Sequence, residues 1–327
     1  MQRQPSTPAT GTFRPAAFRA LALDFILSFG KSITSRTSFF ACGRARRSPA
    51  AGAAILSTPE HHASKRLQEC RLNGAARDDS RRIVLVTGAS RGIGRAAAAA
   101  FARSGAHVVA LARTQGALEE LDDEIRALRP GEDSPATLAP LDLRDQGAID
   151  RLGEALYRRW GRLDAFVGNA GILGVLSPLH HVDPKEWDEV LAVNVTANWR
   201  LIRSLDPLLR RSPAGRVALI TSGVASRADF RAYWGPYATA KAALDAIART
   251  YAAETANTSN IRVMLINPGA LRTLMRAKAM PGEDPMTLRA PEELAPKIVE
   301  ICSPEWSQTG KLYDFPSDRI LSFRAPA

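Results

Sequence analysis

The sequence is poor in the residues that build disulfide frameworks and metal centres. It contains three cysteines, Cys42, Cys70 and Cys302, and no Cys-x-x-Cys pair. No histidine stands at metal-ligand spacing from a cysteine. This scarcity predicts neither a disulfide nor a metal site, and it favours a reducing compartment, for which the cytoplasm is the default.

The first 80 residues contain no uninterrupted apolar run. Their most apolar part, residues 16–29, is interrupted by Arg19 and Asp24 and is too short to span a bilayer. Asp24 is also the only acidic residue up to position 59, while Arg, Ser, Ala and Pro are frequent. We interpret residues 1–80 as a leader that does not fold by itself. A transit peptide directing the chain to an organelle matrix, a disordered tail and an upstream reading of the gene all fit this composition.

The positive charge is unevenly distributed. The formal net charge is +11 at pH 7, and the leader holds 12 Lys/Arg against 5 Asp/Glu, whereas residues 81–327 hold 32 against 28. Because most of the excess lies in the leader and no base-reading motif is present, a nucleic-acid partner is not predicted. With 45% hydrophobic residues, the chain can build a substantial core.

From Arg81 onward, short apolar runs alternate with helical patterns, which is typical of right-handed crossovers in a parallel sheet. We predict one α/β domain over residues 81–327, a doubly wound (Rossmann) sheet of about seven strands flanked by helices. The predicted strands are residues 83–87, 108–111, 137–141, 163–167, 216–221, 261–266 and 310–314. The predicted helices are residues 95–104, 116–128, 146–160, 184–211, 237–254 and 291–301.

A glycine-rich turn stands between the first predicted strand and an Ala-rich helix. Glycines let the backbone approach a pyrophosphate closely, and the helix amino end offers free N–H groups and a positive dipole. A tight turn without a ligand is the alternative. The predicted phosphate-binding residues are Gly88, Ser90, Arg91, Gly92, Ile93 and Gly94.

Ligands of such sheets bind at the carboxyl ends of the strands, so the residues that follow the strands are informative. Arg113 follows the second strand in place of an acidic residue, and with Arg91 it favours the 2′-phosphate of NADP over NAD, although both arginines could simply be solvated. After the third strand, Asp142 and Leu143 suit an adenine edge. The fourth strand is followed by a turn containing Asn169, Ala170 and Gly171.

Tyr237 and Lys241 lie four residues apart in a predicted helix and therefore share one face. A phenol has a reference pKa of about 10, and a nearby ammonium lowers it towards the range useful for general acid/base chemistry. Taken alone, the spacing also fits a packed ring beside a solvated charge.

Residues 81–327 resemble a classical short-chain dehydrogenase/reductase. The resemblance rests on an ordered set of motifs: residues 87–94, Asp142-Leu143, Asn169-Ala170-Gly171, Asn194, Ser222, Tyr237 with Lys241, Pro268-Gly269, and Thr273. It implies an oxidoreductase that interconverts a hydroxyl and a carbonyl group with a nicotinamide cofactor. The alternative is a regulatory or scaffold protein that keeps the nucleotide site without catalysis, but no catalytic position is lost here.

The resemblance also implies individual roles. Tyr237 donates the proton to a carbonyl oxygen or accepts it in reverse, and Ser222 hydrogen-bonds that oxygen. Lys241 holds the nicotinamide ribose and lowers the pKa of the phenol, and Asn194 holds a proton-relay water. Pro268-Gly269 closes over the nicotinamide, and Thr273 contacts its amide.

Two departures from the family pattern leave points open. The stretch from Ser222 to Tyr237 is longer than usual, so Ser226 and, less strongly, Thr221 remain alternatives to Ser222. Gly168 stands where an asparagine is frequent, a conservative change for a turn.

The substrate pocket is predicted to be mostly apolar, which suits a lipophilic alcohol or carbonyl compound, although each of its residues could belong to the core. Its residues are Ile172, Leu173, Val224, Phe230, Tyr233, Trp234, Leu274 and Met275. Residues 272–289 have the composition of a lid. Arg227, Arg231 and Arg276 near its mouth could favour an anionic substrate, with solvation as the default. The resemblance further implies a homodimer or homotetramer built through the two long helices.

Overall fold

A computed structural model describes residues 81–132, 135–226 and 231–323 of the chain, with the side chain of Ser226 excepted. The leader prediction for residues 1–80 lies outside the described residues, as do Arg227 and Phe230. The described strands are β1 Ile83–Thr87, β2 His107–Ala112, β3 Ala136–Pro140, β4 Ala165–Gly168, β5 Arg216–Ile220, β6 Arg262–Asn267, β7 Lys311–Asp314 and β8 Arg319–Leu321.

These strands form one sheet in the order β3-β2-β1-β4-β5-β6-β7-β8, in which every pair is parallel except β7 with β8. The predicted doubly wound sheet is confirmed, but the predicted number of about seven strands is one too small among the described residues. The eighth strand has only three residues, all exposed, so it lacks a buried apolar run such as those of β1, β2 and β5.

Helices follow the strands on both faces of the sheet. The described α-helices are α1 Gly92–Arg103, α2 Gln115–Leu128, α3 Gln146–Trp160, α4 Pro184–Leu191, α5 Ala197–Arg211, α6 Gly223–Ser226, α7 Gly235–Thr255, α8 Leu274–Ala279 and α9 Pro291–Ile301. None of the helices in the described part of the chain has the length and apolar character needed to cross a membrane.

One predicted helix is interrupted. Residues 184–211 were expected to be continuous, but a π-helical segment, Ala192–Thr196, separates α4 from α5. The start is as predicted, because the Asp183 side chain accepts a hydrogen bond from the Lys185 N–H and caps the helix. The π-helical segment places Asn194 in an irregular turn, and such turns are frequent at functional sites.

The core lies in two layers, one on each face of the sheet. Successive residues of a strand point to opposite faces, so Ile83 and Leu85 pack in one layer while Val84 and Val86 pack in the other. All four side chains are fully buried. A sheet covered on both faces is a rigid platform, and its strand ends position the loops that carry the candidate site.

Candidate active site

The glycine turn has the geometry of a phosphate cradle. Gly88 and Gly92 adopt positive φ angles of 66° and 54°, which side chains rarely allow. A Cβ atom on Gly94 would lie 2.2 Å from the carbonyl oxygen of Gly88, so only glycine fits there. Helix α1 begins at Gly92, and no side chain caps its amino end. Its first N–H groups and helix dipole therefore suit an anionic group.

The turn after β4 is tied directly to the end of β1. The Thr87 hydroxyl accepts hydrogen bonds from the N–H groups of Asn169 (3.0 Å) and Ala170 (3.1 Å). Asn169 Nδ2 in turn donates to the Thr87 carbonyl at 2.9 Å. Asn169 and Ala170 thus lie beside the glycine turn. This role of Thr87 is an addition to the predicted site, and the sequence signal for it is a threonine at the end of a buried strand.

Tyr237 and Ser222 meet through a side-chain hydrogen bond, with Tyr237 on α7 and Ser222 just after β5. Burial raises the pKa of the Tyr237 phenol to about 12, and the bond with Ser222 acts in the opposite direction. This direction contradicts the expectation of a lowered pKa. The physical reason is desolvation, because Tyr237 is only 8% exposed.

The Lys241 ammonium lies over the ring of Tyr237. Its Nζ donates to the Ile220 carbonyl at 2.7 Å and stands 5.7 Å from the centroid of the Tyr237 ring. A Cβ atom on Gly171 would be 3.6 Å from the same Nζ. Burial lowers the pKa of Lys241 to about 8, while the neighbouring Asp245 carboxylate raises it. The ammonium form therefore still prevails at pH 7.

The Asn194 side chain is fully buried in the π-helical segment, and both its polar atoms are hydrogen-bonded. Its Oδ1 accepts from the Ile172 N–H and its Nδ2 donates to the Ile172 carbonyl, each at 2.8 Å. The Asn194 carbonyl accepts from Asn198 Nδ2 at 2.9 Å. The amide thus fastens the turn after β4 to this segment. Sequence reasoning missed Asn198, whose only signal was a second asparagine one helical turn further on.

Thr221 and Ser226 are the alternatives to Ser222 as the partner of Tyr237. Thr221 is buried, and its hydroxyl donates to the Asp245 carboxylate, so it faces the helix instead of a ligand. Ser222 is half-buried and bonded to Tyr237. The Ser226 side chain lies outside the described residues. Of the two described candidates, only Ser222 is placed to share a proton network with the phenol.

The side chains predicted to hold the adenosine end follow strands β1, β2 and β3, whereas Ser222 follows β5 further along the sheet. Arg91 and Arg113 are both exposed, and neither side chain has a hydrogen bond or ion pair with the part of the chain that the structure describes. Asp142 binds the Arg144 guanidinium, which lowers the pKa of that carboxyl, and Arg113 contributes to the lowering. Leu143 is buried in the core, so its side chain does not face this end.

The segment predicted as a lid forms a closed loop. Its ends are joined by a bridge between Leu271 and Arg289. Thr273 caps α8 and lies opposite the glycine turn, 3.4 Å from the position of a Cβ on Gly92. Arg276 makes two 2.5 Å contacts with Glu283. This pairing removes the anion preference considered for Arg276, because its charge is neutralised within the loop.

Pro268 and Gly269 follow β6 at the same edge, Pro268 half-buried and Gly269 exposed. Gly269 has a φ of 67°, and a Cβ there would lie 2.4 Å from Pro316. Glycine is therefore required here, because the turn is tight and packs against Pro316.

No described residue of the predicted pocket belongs to the core. Five of them are half-buried, namely Ile172, Leu173, Val224, Trp234 and Met275. Leu274 and Tyr233 are 61% and 60% exposed. Tyr233 also has a φ of 73°, which is rare for an aromatic residue, and its carbonyl accepts from the Ser177 N–H. A core ring is therefore excluded for Tyr233. Arg231 is exposed and lies over Trp234 at 5.9 Å.

The chain is similar to known proteins in both sequence and fold. The family model described as short chain dehydrogenase matches residues 82–284. The uncharacterized oxidoreductase YciK of Escherichia coli K12 is 38% identical over 66% of this chain and 83% of its own length.

Two solved structures are also similar. A short chain dehydrogenase from Shigella flexneri 2a, complexed with NADP, is 36% identical with a TM-score of 0.66, covering 71% of this chain and 96% of its own. One from Escherichia coli CFT073, complexed with NADPH, is 37% identical with a TM-score of 0.66, covering 71% and 95%. The chain thus belongs to the classical short-chain dehydrogenase/reductase family of NAD(P)-dependent oxidoreductases.

Proposed function

We propose that this protein is an NADP-dependent oxidoreductase that interconverts a hydroxyl and a carbonyl group on a lipophilic small molecule. The observation that carries the proposal is the hydrogen bond between Ser222 and Tyr237, together with the Lys241 ammonium over the Tyr237 ring. This group stands beside Gly171, in the turn that Thr87 fastens to the glycine cradle. A proton donor is therefore close to the place where a nicotinamide would end.

The glycine turn and the strand-end turns would hold the cofactor, since a pyrophosphate needs the close backbone approach that Gly88 and Gly94 leave open. When bound, the cofactor supplies or accepts the hydride. Tyr237 supplies the proton in the reducing direction: a phenol with a pKa raised to about 12 is fully protonated at neutral pH. Ser222 holds the substrate oxygen and stabilises the phenolate that the transfer leaves.

Lys241 and Asn194 would support that proton transfer. The positive charge of Lys241 stabilises a phenolate at Tyr237 and can hold the hydroxyls of a ribose. Asn194 keeps the π-helical segment and residue Ile172 in place through two 2.8 Å bonds. We assign to that segment the relay that returns a proton to Lys241 from solvent.

The preference for NADP over NAD rests on charge. Arg91 and Arg113 are exposed cations that make no hydrogen bond or ion pair within the described ranges. The Asp142 carboxylate attracts Arg113 but is itself bonded to Arg144, so a 2′-phosphate would supply a direct counter-charge. Two similar structures carry NADP or NADPH. A carboxylate in the place of Arg113 would instead repel this phosphate.

We expect Arg113→Ala to raise the Kd for NADPH about tenfold or more while leaving the Kd for NADH unchanged, since a charge-assisted bond contributes about 1.5–3 kcal/mol. Fluorescence titration with both cofactors measures the effect. Arg103→Ala, at an exposed arginine at the far end of α1, is the matched control and should change neither value. Equal losses of NADH and NADPH affinity would contradict the 2′-phosphate assignment.

The experiment that tests the function is NADPH oxidation by the purified full-length chain against ketones, aldehydes and quinones. Apolar carbonyl compounds should turn over faster than small polar or anionic ones, because the described pocket residues are mostly apolar. Binding of NADPH without turnover of any compound would favour a regulatory or scaffold role.

We also propose that residues 81–327 are the catalytic domain and that the protein acts in the cytoplasm. A fragment of those residues should retain the full-length kcat.

We propose a homodimer or homotetramer assembled through α5 and α7. Helix α5 leaves Trp199 47% exposed, and large aromatic residues are enriched in interfaces. Trp199→Glu should therefore shift the protein to monomers in sedimentation velocity at micromolar concentration, since a charge in an apolar interface is costly. The control is Tyr157→Glu on α3, which is similarly exposed and should leave the assembly intact. A wild-type monomer would contradict this proposal.

A further inference from the structure

Helix α7 holds the end of β5 through three side chains, each one helical turn from the next. The three contacts are Tyr237 with the Ser222 side chain, Lys241 with the Ile220 carbonyl at 2.7 Å, and Asp245 with the Thr221 hydroxyl. Three consecutive residues leaving the strand are thus each fastened to the helix. The first two contacts belong to the proposed active site, and the third has no role in it so far.

The third contact is buried and charged. Asp245 is 6% exposed and Thr221 is 1% exposed. A buried carboxylate is costly unless it is hydrogen-bonded and paired with a positive group. The Thr221 hydroxyl donates to Asp245, and the Lys241 ammonium lies one helical turn away along α7. A simple apolar contact would fasten helix to strand at lower cost, so the charge itself requires an explanation.

We propose that Asp245 and Thr221 are positioning residues of the active site, in which Thr221 fixes the adjacent Ser222 against Tyr237 and Asp245 provides a negative charge one helical turn from the Lys241 ammonium. The inference rests on the proposed function. It extends that function with a pair of side chains that touch neither substrate nor cofactor and act through their neighbours.

Among the described residues around Lys241, Asp245 supplies the counter-charge. Helix α7 contributes Tyr237 and Asp245, and of these Asp245 is the one whose charge raises the pKa of Lys241. Strand β5 contributes the neutral Ile220 carbonyl, and the turn after β4 contributes Gly171. The π-helical segment contributes Asn194, a neutral amide. Within the described ranges, Asp245 is the one residue whose charge raises the pKa of Lys241 against the effect of burial.

The test of the charge is NADPH affinity as a function of pH, which needs no substrate. In the wild type, affinity should fall as pH rises through about 8, where Lys241 loses its proton. Asp245→Asn keeps an oxygen that accepts from Thr221 but removes the charge. The midpoint should then move down by about one pH unit, because removing an opposite charge lowers the pKa of an ammonium. Asp206→Asn, at a carboxylate of α5 bonded to Tyr251, ten residues further along α7 than Lys241, should leave the midpoint unchanged.

The test of the hydroxyl is a pair of variants at Thr221. Thr221→Val keeps the shape and removes the donor, so Ser222 loses its fixed position, and kcat should fall about tenfold or more with little change in KM for NADPH. Thr221→Ser restores the hydroxyl and should restore kcat to within about twofold. Thr255→Val removes another fully buried hydroxyl of α7, bonded to the Tyr251 carbonyl at 2.7 Å, and should leave kcat unchanged.

The possible results distinguish a failure of the proposed function from a failure of the positioning role alone. A wild type that binds no NADPH contradicts the proposed function, and this inference falls with it. Wild-type binding with the same pH midpoint in Asp245→Asn overturns the role of the charge alone. If Asp245→Asn does not fold, the two Thr221 variants test the inference. Equal kcat values in Thr221→Val and the wild type overturn the positioning role. A lower kcat in Thr221→Val that returns to the wild-type value in Thr221→Ser supports it.

Discussion

Tyr237→Phe should abolish turnover while leaving NADPH binding nearly intact. The substitution removes one oxygen and keeps the ring, which packs against Trp234 with centroids 6.0 Å apart. General acid catalysis contributes about 10²–10⁴-fold to a rate, so kcat should fall by at least about a hundredfold. Because the phenol is assigned to the reacting end and not to the phosphates, the Kd for NADPH should change less than about threefold. Steady-state kinetics and fluorescence titration measure the two quantities.

The control for this prediction lies on the same helix. Tyr251→Phe makes the identical chemical change where the hydroxyl donates to Asp206 at 2.8 Å, away from the candidate site. It should lower stability by about 1 kcal/mol and leave kcat unchanged. Full activity in Tyr237→Phe would remove the acid/base assignment, and equal losses in both variants would mean that the helix, not the phenol, had been damaged.

The fold was largely predictable because its signals are local. Predicted helices 146–160 and 291–301 coincide with α3 and α9, since each shows clear apolar periodicity and a recognisable start. Strand β1 has the predicted bounds because five consecutive buried residues fit only a covered parallel sheet. Strand β8 was missed because it depends on pairing with β7 rather than on burial of its own side chains.

The proximity of the candidate site residues was predictable from the motif order, but their electrostatics were not. The motif order identified Ser222, Tyr237 and Lys241, and the structure brings these three together. The direction of the Tyr237 pKa could not be read from spacing, because desolvation depends on how completely the surrounding elements cover the ring. The contact between Thr221 and Asp245 joins residues that are 24 positions apart, so no local sequence pattern predicts it.

Gly94 packs closely against the glycine turn and the turn after β4. Gly94→Ala should weaken NADPH binding at least about tenfold and destabilise the fold by about 1–3 kcal/mol, because an added methyl would overpack the turn. Its Cβ would stand 2.2 Å from the Gly88 carbonyl oxygen and 2.5 Å from Asn169 Nδ2. Both neighbours must shift, and both belong to the turns assigned to the cofactor. Fluorescence titration and thermal unfolding with and without NADPH measure the two effects.

The matched control is Gly116→Ala, which also places a methyl group in the first turn of a helix that follows a strand. A Cβ atom at Gly116 would have no heavy atom within 4 Å, so the space is open. Alanine there should stabilise the protein by up to about 1 kcal/mol, through its higher helix propensity. It should leave NADPH affinity unchanged, since Gly116 lies past the strand end that carries Arg113. If both variants bound NADPH like the wild type, the close backbone approach at Gly94 would serve packing alone, and the cofactor would have to be held elsewhere.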